Sequence, residues 1–168
     1  MANQWWSSAG SAGAVDVADI GKVVFAQSVV QIQGIDLIIQ AEPAAGLPLT
    51  QTHAVIRYGL APVEGLLSGG LPFLQLRYRS GRGRVVAVLI EVDISTGTET
   101  PWVRFDSQDF PSGNAFQVQR SEPALSGSFD FETRAYYIEL TLSATSHPGL
   151  PVLFPPKVSV VQVQLQLE

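Results

Sequence analysis

Residues 73–94 read FLQLRYRSGRGRVVAVLIEVDI, and the reading of this stretch decides the fold. In Phe73–Arg79, Leu74, Leu76 and Tyr78 share one parity while Gln75, Arg77 and Arg79 share the other. Successive side chains leave a strand on opposite faces, so this period of two predicts a half-buried strand. Ser80-Gly81-Arg82-Gly83 follows, and glycine supplies the positive φ that short hairpin loops demand. Arg84–Ile94 then returns with Val86, Val88, Ile90, Val92 and Ile94 on one face. The stretch predicts two antiparallel strands joined as a hairpin.

The same grammar extends in both directions. Downstream, Ser95-Thr96-Gly97-Thr98 predicts a second turn, leading into strands at Pro101–Asp106, Ala115–Gln119, Ser128–Phe131, Arg134–Ser143 and Lys157–Leu167. Upstream, Lys22–Ile32, Ile35–Gln40 and His53–Tyr58 read as strands. Loops carrying Pro43, Gly46 and Pro48, and then Gly59–Pro72, separate them. No segment repeats apolar residues at i, i+3, i+4 and i+7, so helices are not expected. The pattern predicts an all-β domain, an antiparallel β-sandwich or jelly roll of about 8–10 strands. In the last strand, Val158 and Val160 lie on the opposite parity from Val161, Val163 and Leu165. Either both faces are buried there, or a bulge shifts the register between Val160 and Val161, as at corners where strands change sheets.

Bulk properties narrow the class. A chain of 168 residues fits one domain and hides roughly 70% of its unfolded surface. It has no cysteine, which removes disulfides, thiolate metal sites and cysteine nucleophiles. Hydrophobic residues make up 46% and charged ones 15%, below the usual charged share of about 25%. Mean hydropathy is +0.20, yet no run approaches the ~18 apolar residues of a membrane span, so membrane insertion is not expected. The net charge of −5 argues against non-specific nucleic-acid binding, which needs a cationic face. The first residues lack the basic and apolar regions of a signal peptide, and cytoplasmic and extracellular locations both stay open.

Residues 1–14 read as a flexible or partner-contacting N-terminal segment ahead of a single sandwich domain over 15–168. Small residues fill Ser7–Ala14, but Trp5 and Trp6 carry large apolar surfaces that favour packing on the domain or on a neighbouring copy. These two tryptophans are the self-association candidates.

Several side-chain groups invite chemistry, each with a plainer reading beside it. Arg77, Arg79, Arg82 and Arg84 surround one predicted hairpin and could clamp sulfate, phosphate or an acidic glycan through guanidinium forks. As a plain hairpin tip, they would meet Glu91 or Asp93 across strands. The order Glu91-x-Asp93 resembles the start of the catalytic motif of laminarinase-type jelly-roll glycosidases, but Thr96 stands where that motif continues with its second glutamate. Asp106 and Asp109 are calcium candidates, or turn caps. His53 and His147 stand far apart without a third histidine or cysteine, so no zinc site is expected. No nucleophile elbow, phosphate loop or dinucleotide fingerprint occurs, and neither an enzyme nor a cofactor is expected. Trp102 with Tyr136 or Tyr137 could form a sugar-stacking platform, or pack in the core.

Val86–Ser107, VAVLIEVDISTGTETPWVRFDS, is followed by Phe129-Asp130-Phe131 and by Ala135-Tyr-Tyr-Ile-Glu-Leu140. This pattern resembles small uncharacterised bacterial β-sandwich proteins that carry a Phe-Asp-Ser strand end and an Ala-Tyr-Tyr-hydrophobic-Glu strand. The resemblance covers roughly the C-terminal half and implies a sandwich without an activity or site residues. Function then has two readings. The first is a self-associating structural protein, a homo-oligomer or a shell or fibre subunit, from the low charge and the Trp-Trp head. The alternative is a carbohydrate- or small anionic ligand-binding module, resting on Arg77, Arg79, Arg82, Arg84 and Trp102, with a glycan as partner.

Overall fold

The alternating strands close their apolar parities against one another in two antiparallel sheets. The computed structural model describes residues 5–35, 50–63, 66, 69–146 and 152–166. In chain order the strands are β1 (Trp5–Ala9), β2 (Ala14–Val15), β3 (Val23–Ala26), β4 (Val29–Ile32), β5 (Gly34–Ile35) and β6 (Thr50–Leu60). There follow β7 (Leu71–Arg79), β8 (Gly83–Asp93), β9 (Glu99–Asp106), β10 (Gln117–Arg120), β11 (Arg134–Ser146), β12 (Val152–Leu153) and β13 (Lys157–Gln166). A six-stranded sheet runs β10-β7-β13-β4-β3, with β1 also on β13, and a five-stranded sheet runs β2-β6-β11-β8-β9. A short parallel pair, β5 and β12, stands apart. The chain alternates between the two sheets, and the fold is an antiparallel β-sandwich of jelly-roll character.

Between the sheets, Leu74, Leu76 and Tyr78 of β7 and Val158, Val161 and Val163 of β13 are buried against Ile56, Leu89, Ile138, Leu140 and Leu142. Burying each such side chain contributes roughly 1.5–3 kcal/mol, so this one interlayer cluster dominates stability. Polar residues of opposite parity point outward, as the alternation in β7 requires.

The turn at Ser80–Gly83 forms where expected, but β7 and β8 are not a paired hairpin. They belong to different sheets, so the turn is a corner between layers. Both edges of each strand are already filled, β7 by β10 and β13, and β8 by β9 and β11, which leaves no edge for them to share. Three backbone bonds hold the corner: Gly81 N donates to Gly113 O, Arg82 N to Phe154 O and Gly83 N to Ser80 O. Gly81 has φ +58°, and a Cβ there would lie 2.0 Å from Phe154 O, so this corner needs glycine for conformation and space alike. The Ser95–Thr98 turn does close a true hairpin, β8 on β9.

Other differences have equally local causes. The predicted single strand at Lys22–Ile32 divides into the β3–β4 hairpin, turning at Gln27, which takes φ +56° without being glycine. Ser128–Phe131 is not a strand; it is irregular, and Phe129 plugs the core. Residues 36–40 of the predicted Ile35–Gln40 strand lie outside the described residues. In β8 the face carrying Val86, Val88, Ile90 and Val92 points outward and is half-buried, while Val85, Ala87 and Leu89 enter the core. The bulge in β13 falls at Ser159, between Val158 and Val160, and the strand stays in one sheet instead of changing sheets.

The N-terminal residues strap the two layers together. Trp5–Ala9 pairs antiparallel with Val160–Gln164 of β13 in one sheet, and Ala14–Val15 pairs with Ile56–Arg57 of β6 in the other. Between them, Gly10 O accepts from the Tyr58 hydroxyl at 2.7 Å. Trp6 packs against the core of its own chain. A Cβ at Gly10 would stand 2.0 Å from Val158 O, so the strap passes only because this residue has no side chain. Gly10→Ala is expected to cost about 2 kcal/mol in urea unfolding through overpacking. Gly21→Ala, where a Cβ meets nothing within 4 Å, is the control and should stay within about 0.5 kcal/mol.

Candidate functional site

The four arginines around the corner do not converge. Arg84 lies on β8 in the five-stranded sheet, where its Nε donates to Asp106 Oδ1 at 2.9 Å and its terminal nitrogen pairs with Oδ2. Arg104 joins the same carboxylate at 2.6 Å. Arg82, in the turn itself, sits over the Phe154 ring. Arg79 is buried and reaches the Pro155 carbonyl. Arg77 stays on the outer face of β7. A turn that joins two layers sends its flanking side chains to opposite sides of the molecule.

Asp106, Glu91 and Asp93, carboxylates singled out by sequence, are engaged by neighbouring groups of the chain. Both oxygens of Asp106 are held by guanidinium groups, which leaves no lone-pair site aimed at calcium, and Asp109 donates its backbone N–H to Asp106 O in the following turn. The Arg84 hydrogen bond is the main reason the Asp106 carboxyl is held down to about 2. Next to it, Ser107 Oγ accepts from Val85 N at 2.9 Å, so Phe105-Asp106-Ser107 supplies a core ring, an ion pair and a strand clamp in three residues. Asp93 Oδ1 accepts from the backbone N–H groups of Ser95 and Thr96 and thereby builds the hairpin turn. Arg134 bridges Glu91 and Asp93, and the Tyr136 hydroxyl donates to Glu91 at 3.3 Å. Among the described residues, no group of three His, Asp or Glu side chains is placed to hold a metal ion. His53 is exposed on the outer side of β6, and His147 lies outside the described residues.

Trp102 is part of the core rim. Its ring stacks on Tyr136 at 5.6 Å and meets Phe129 edge-on at 5.1 Å, and its indole N–H donates to Ser126 O at 3.0 Å. Gly127 presses on the ring so closely that a Cβ there would lie 2.6 Å from it. Tyr136 is buried in this cluster, whereas Tyr137 faces outward. The aromatic residues therefore serve packing on this side.

The surface with unspent polar capacity is the outer face of the six-stranded sheet. Register places Arg120 of β10 opposite Gln75 of β7, Gln75 opposite Gln162 of β13, and Gln162 opposite Ser7 of β1. Directly opposed residues share a face, so these four form one row across four strands. At its centre, Gln162 Oε1 accepts from Gln75 Nε2 at 2.8 Å and from Gln164 Nε2 at 3.1 Å. Among the described residues nothing accepts from Gln162 Nε2, which leaves two donors there, and Gln75 and Gln164 each keep a side-chain carbonyl oxygen as an acceptor. Phe73, opposite Gln164, lies beneath Arg120 with the guanidinium carbon 5.7 Å from the ring centre. Beside them a depression of about 590 Å³ is lined by Phe73, Gln119, Arg120, Ser121, Glu122 and Gln166, together with Phe110 and Pro123. The period-two glutamines at 162, 164 and 166 were visible in the sequence. That Gln75 and Arg120 lie beside them was not, because strand neighbours 40 to 90 positions apart leave no local trace.

No protein-family model and no curated protein matches the chain. Among solved structures it is similar to a xylan-binding module, CBM15, at 9% identity and a TM-score of 0.43, covering 100% of this chain and 94% of that one. It is also similar to a family 11 carbohydrate-binding module from Clostridium thermocellum in complex with a β-1,3-1,4-mixed-linked tetrasaccharide. That pair shares 15% identity with a TM-score of 0.42, over 98% of this chain and 91% of the other. Likenesses this distant say nothing about what this chain binds.

Two outcomes follow from the geometry. The Asp106 carboxyl is held near 2, below its ordinary value of 3.8, so its contribution is complete above about pH 4 and disappears as pH falls through 2. Asp106→Asn should lower the urea unfolding free energy by about 2 kcal/mol at pH 7 and by much less at pH 2. Trp102→Ala should cost about 3 kcal/mol or more, seen as a lower melting temperature, because it empties a packed aromatic site.

Proposed function

We propose that this chain is a carbohydrate-binding module whose sugar-contacting surface is the outer face of the six-stranded sheet. The observation that carries the reading is the amide cluster centred on Gln162. A sugar hydroxyl both donates and accepts, so a surface that recognises it must present donors and acceptors side by side. Here Gln162 offers two Nε2–H donors, Gln75 and Gln164 keep their side-chain carbonyl acceptors, and the three amides are tied together by hydrogen bonds. Groups already ordered before binding lose little entropy when the ligand arrives. The surrounding residues suit a ring laid flat on the sheet, since Ser7 and Ala9 on β1 are small and Val118 and Val160 are short. This support comes from the geometry of the chain itself. It replaces Trp102, which is committed to the core rim, with glutamines that no motif marks.

A second reading, self-association, is favoured by one feature on the opposite side. Val86, Val88, Ile90 and Val92 form a half-buried apolar stripe on the outer face of the five-stranded sheet, continued by the 60%-exposed Ile94. A second copy of the chain would cover it face to face.

Both readings have direct tests. In affinity electrophoresis against a panel of soluble neutral and acidic polysaccharides, at least one polymer should retard the protein. Gln162→Ala should weaken that binding about tenfold, roughly 1.4 kcal/mol, while Trp102→Phe leaves it unchanged. Unaltered binding by Gln162→Ala would put the surface elsewhere. For self-association, light scattering at rising concentration should show a dimer that Val88→Lys abolishes; a monomer throughout removes this reading.

A further inference from the structure

The two sheets differ in how their charges are settled. The strands of the six-stranded sheet, WWSSA, VVFA, VVQI, LPFLQLRYR, QVQR and KVSVVQVQLQ, contain four cations and not one carboxylate. In the five-stranded sheet, Arg57, Arg84, Arg104 and Arg134 are each in an ion pair, with Glu139, Asp106, Asp106 and Asp93 respectively. Among the described residues Arg77 and Arg120 form no ion pair, and both are exposed on the outer face of the six-stranded sheet. In a chain of net charge −5, this is a cationic patch on a molecule that is acidic overall.

The patch surrounds the amide cluster. Arg120 stands opposite Gln75, and Arg77 follows two residues along β7 on the same face, so the two arginines are diagonal neighbours at roughly 7–8 Å between strands. Each is held by a ring. The Arg77 guanidinium carbon lies 4.6 Å from the Phe116 ring centre, and its Nη1 donates to Ser159 Oγ at 2.9 Å. Arg120 lies over Phe73. A guanidinium laid over a ring keeps its N–H edge available, and that edge matches a planar carboxylate with two parallel hydrogen bonds. Glu122, exposed two residues past the end of β10, lines the same depression as Arg120.

Resting on the proposed carbohydrate-binding reading, we infer that the ligand is an acidic polysaccharide, with sugar-ring carboxylates on Arg77 and Arg120 and hydroxyls on Gln75, Gln162 and Gln164. The acidic remainder of the surface repels such a polymer and confines it to this face. Attraction of this kind is screened within about 8–10 Å at ordinary ionic strength, so binding must weaken with salt.

The test uses the full chain in affinity electrophoresis and titration calorimetry. The probes are polygalacturonate and alginate for carboxylates, heparin and dextran sulfate for sulfates, and xylan and mixed-linkage β-glucan as near-neutral polymers. The expected result is at least tenfold tighter binding to the uronate polymers than to the others. It should weaken between low and moderate salt, and drop a further tenfold in the Arg120→Gln variant, whose thermal melt is unchanged. Preference for the near-neutral polymers, insensitive to salt, would overturn this inference while leaving the carbohydrate-binding reading intact. Sulfated polymers binding as tightly as uronates would overturn the assignment to carboxylates. Retention of no polysaccharide at all would overturn both readings together.

Discussion

Ser159 is an extra residue in β13, and the sandwich depends on where that residue sits. Before it, Val158 faces the core; after it, Val161, Val163 and Leu165 do. Side chains alternate with a period of two, so if Ser159 took a regular place in the ladder instead of bulging from it, the second half of the strand would turn its valines to solvent and its glutamines inward. The bulge is fastened by its neighbour. Ser159 Oγ accepts from Arg77 Nη1 and donates to Arg77 O, so one side chain satisfies the irregularity from both directions. Because Gln162 and Gln164 face outward only on this register, the same residue that completes the core also builds the amide cluster of the candidate site.

Strand edges explain a second layer of the design. β13 is paired along its length by β7 on one side, and by β4 and then β1 on the other. The N-terminal strap thus finishes an edge that β4 covers only at its start. On the other sheet, β2 covers part of the β6 edge, and Asp19 accepts the Val55 N–H at 2.8 Å while Lys22 holds its other oxygen. Unpaired strand edges are templates for unwanted pairing, and here backbone, then a buried carboxylate, occupies them.

The outer faces of the two sheets differ in chemistry for a reason rooted in the layers. The five-stranded sheet carries both signs of charge, and its arginines are consumed by its own carboxylates around an apolar stripe on β8. The strands of the six-stranded sheet carry no carboxylate, and on its outer face Arg77 and Arg120 stand among amides. Cations left without internal partners are available to a ligand, whereas paired ones stabilise the sheet that bears them. The Arg84–Asp106–Arg104 group shows the contrast well. Residues that read by sequence as an anion clamp and a calcium ligand satisfy each other instead.

The all-β class, the strand parities of β7 and β13, the turn at Ser95–Thr98, the exclusion of cysteine chemistry and the change of parity near Val160 were all determined by sequence alone. They are local: period-two alternation, turn chemistry and composition act over a few residues and need no knowledge of the partner strand. Tertiary structure alone decided that the Ser80–Gly83 turn joins two sheets, that the outward face of β8 is its Val86–Val92 side, that Trp102 packs on Tyr136, and that Gln75, Gln162 and Arg120 share one row. In β8 both parities are apolar, so alternation could not choose the buried one. The candidate site was illegible for the same reason: it is made of common polar residues from β7, β10 and β13, and only the pairing of distant strands brings them side by side.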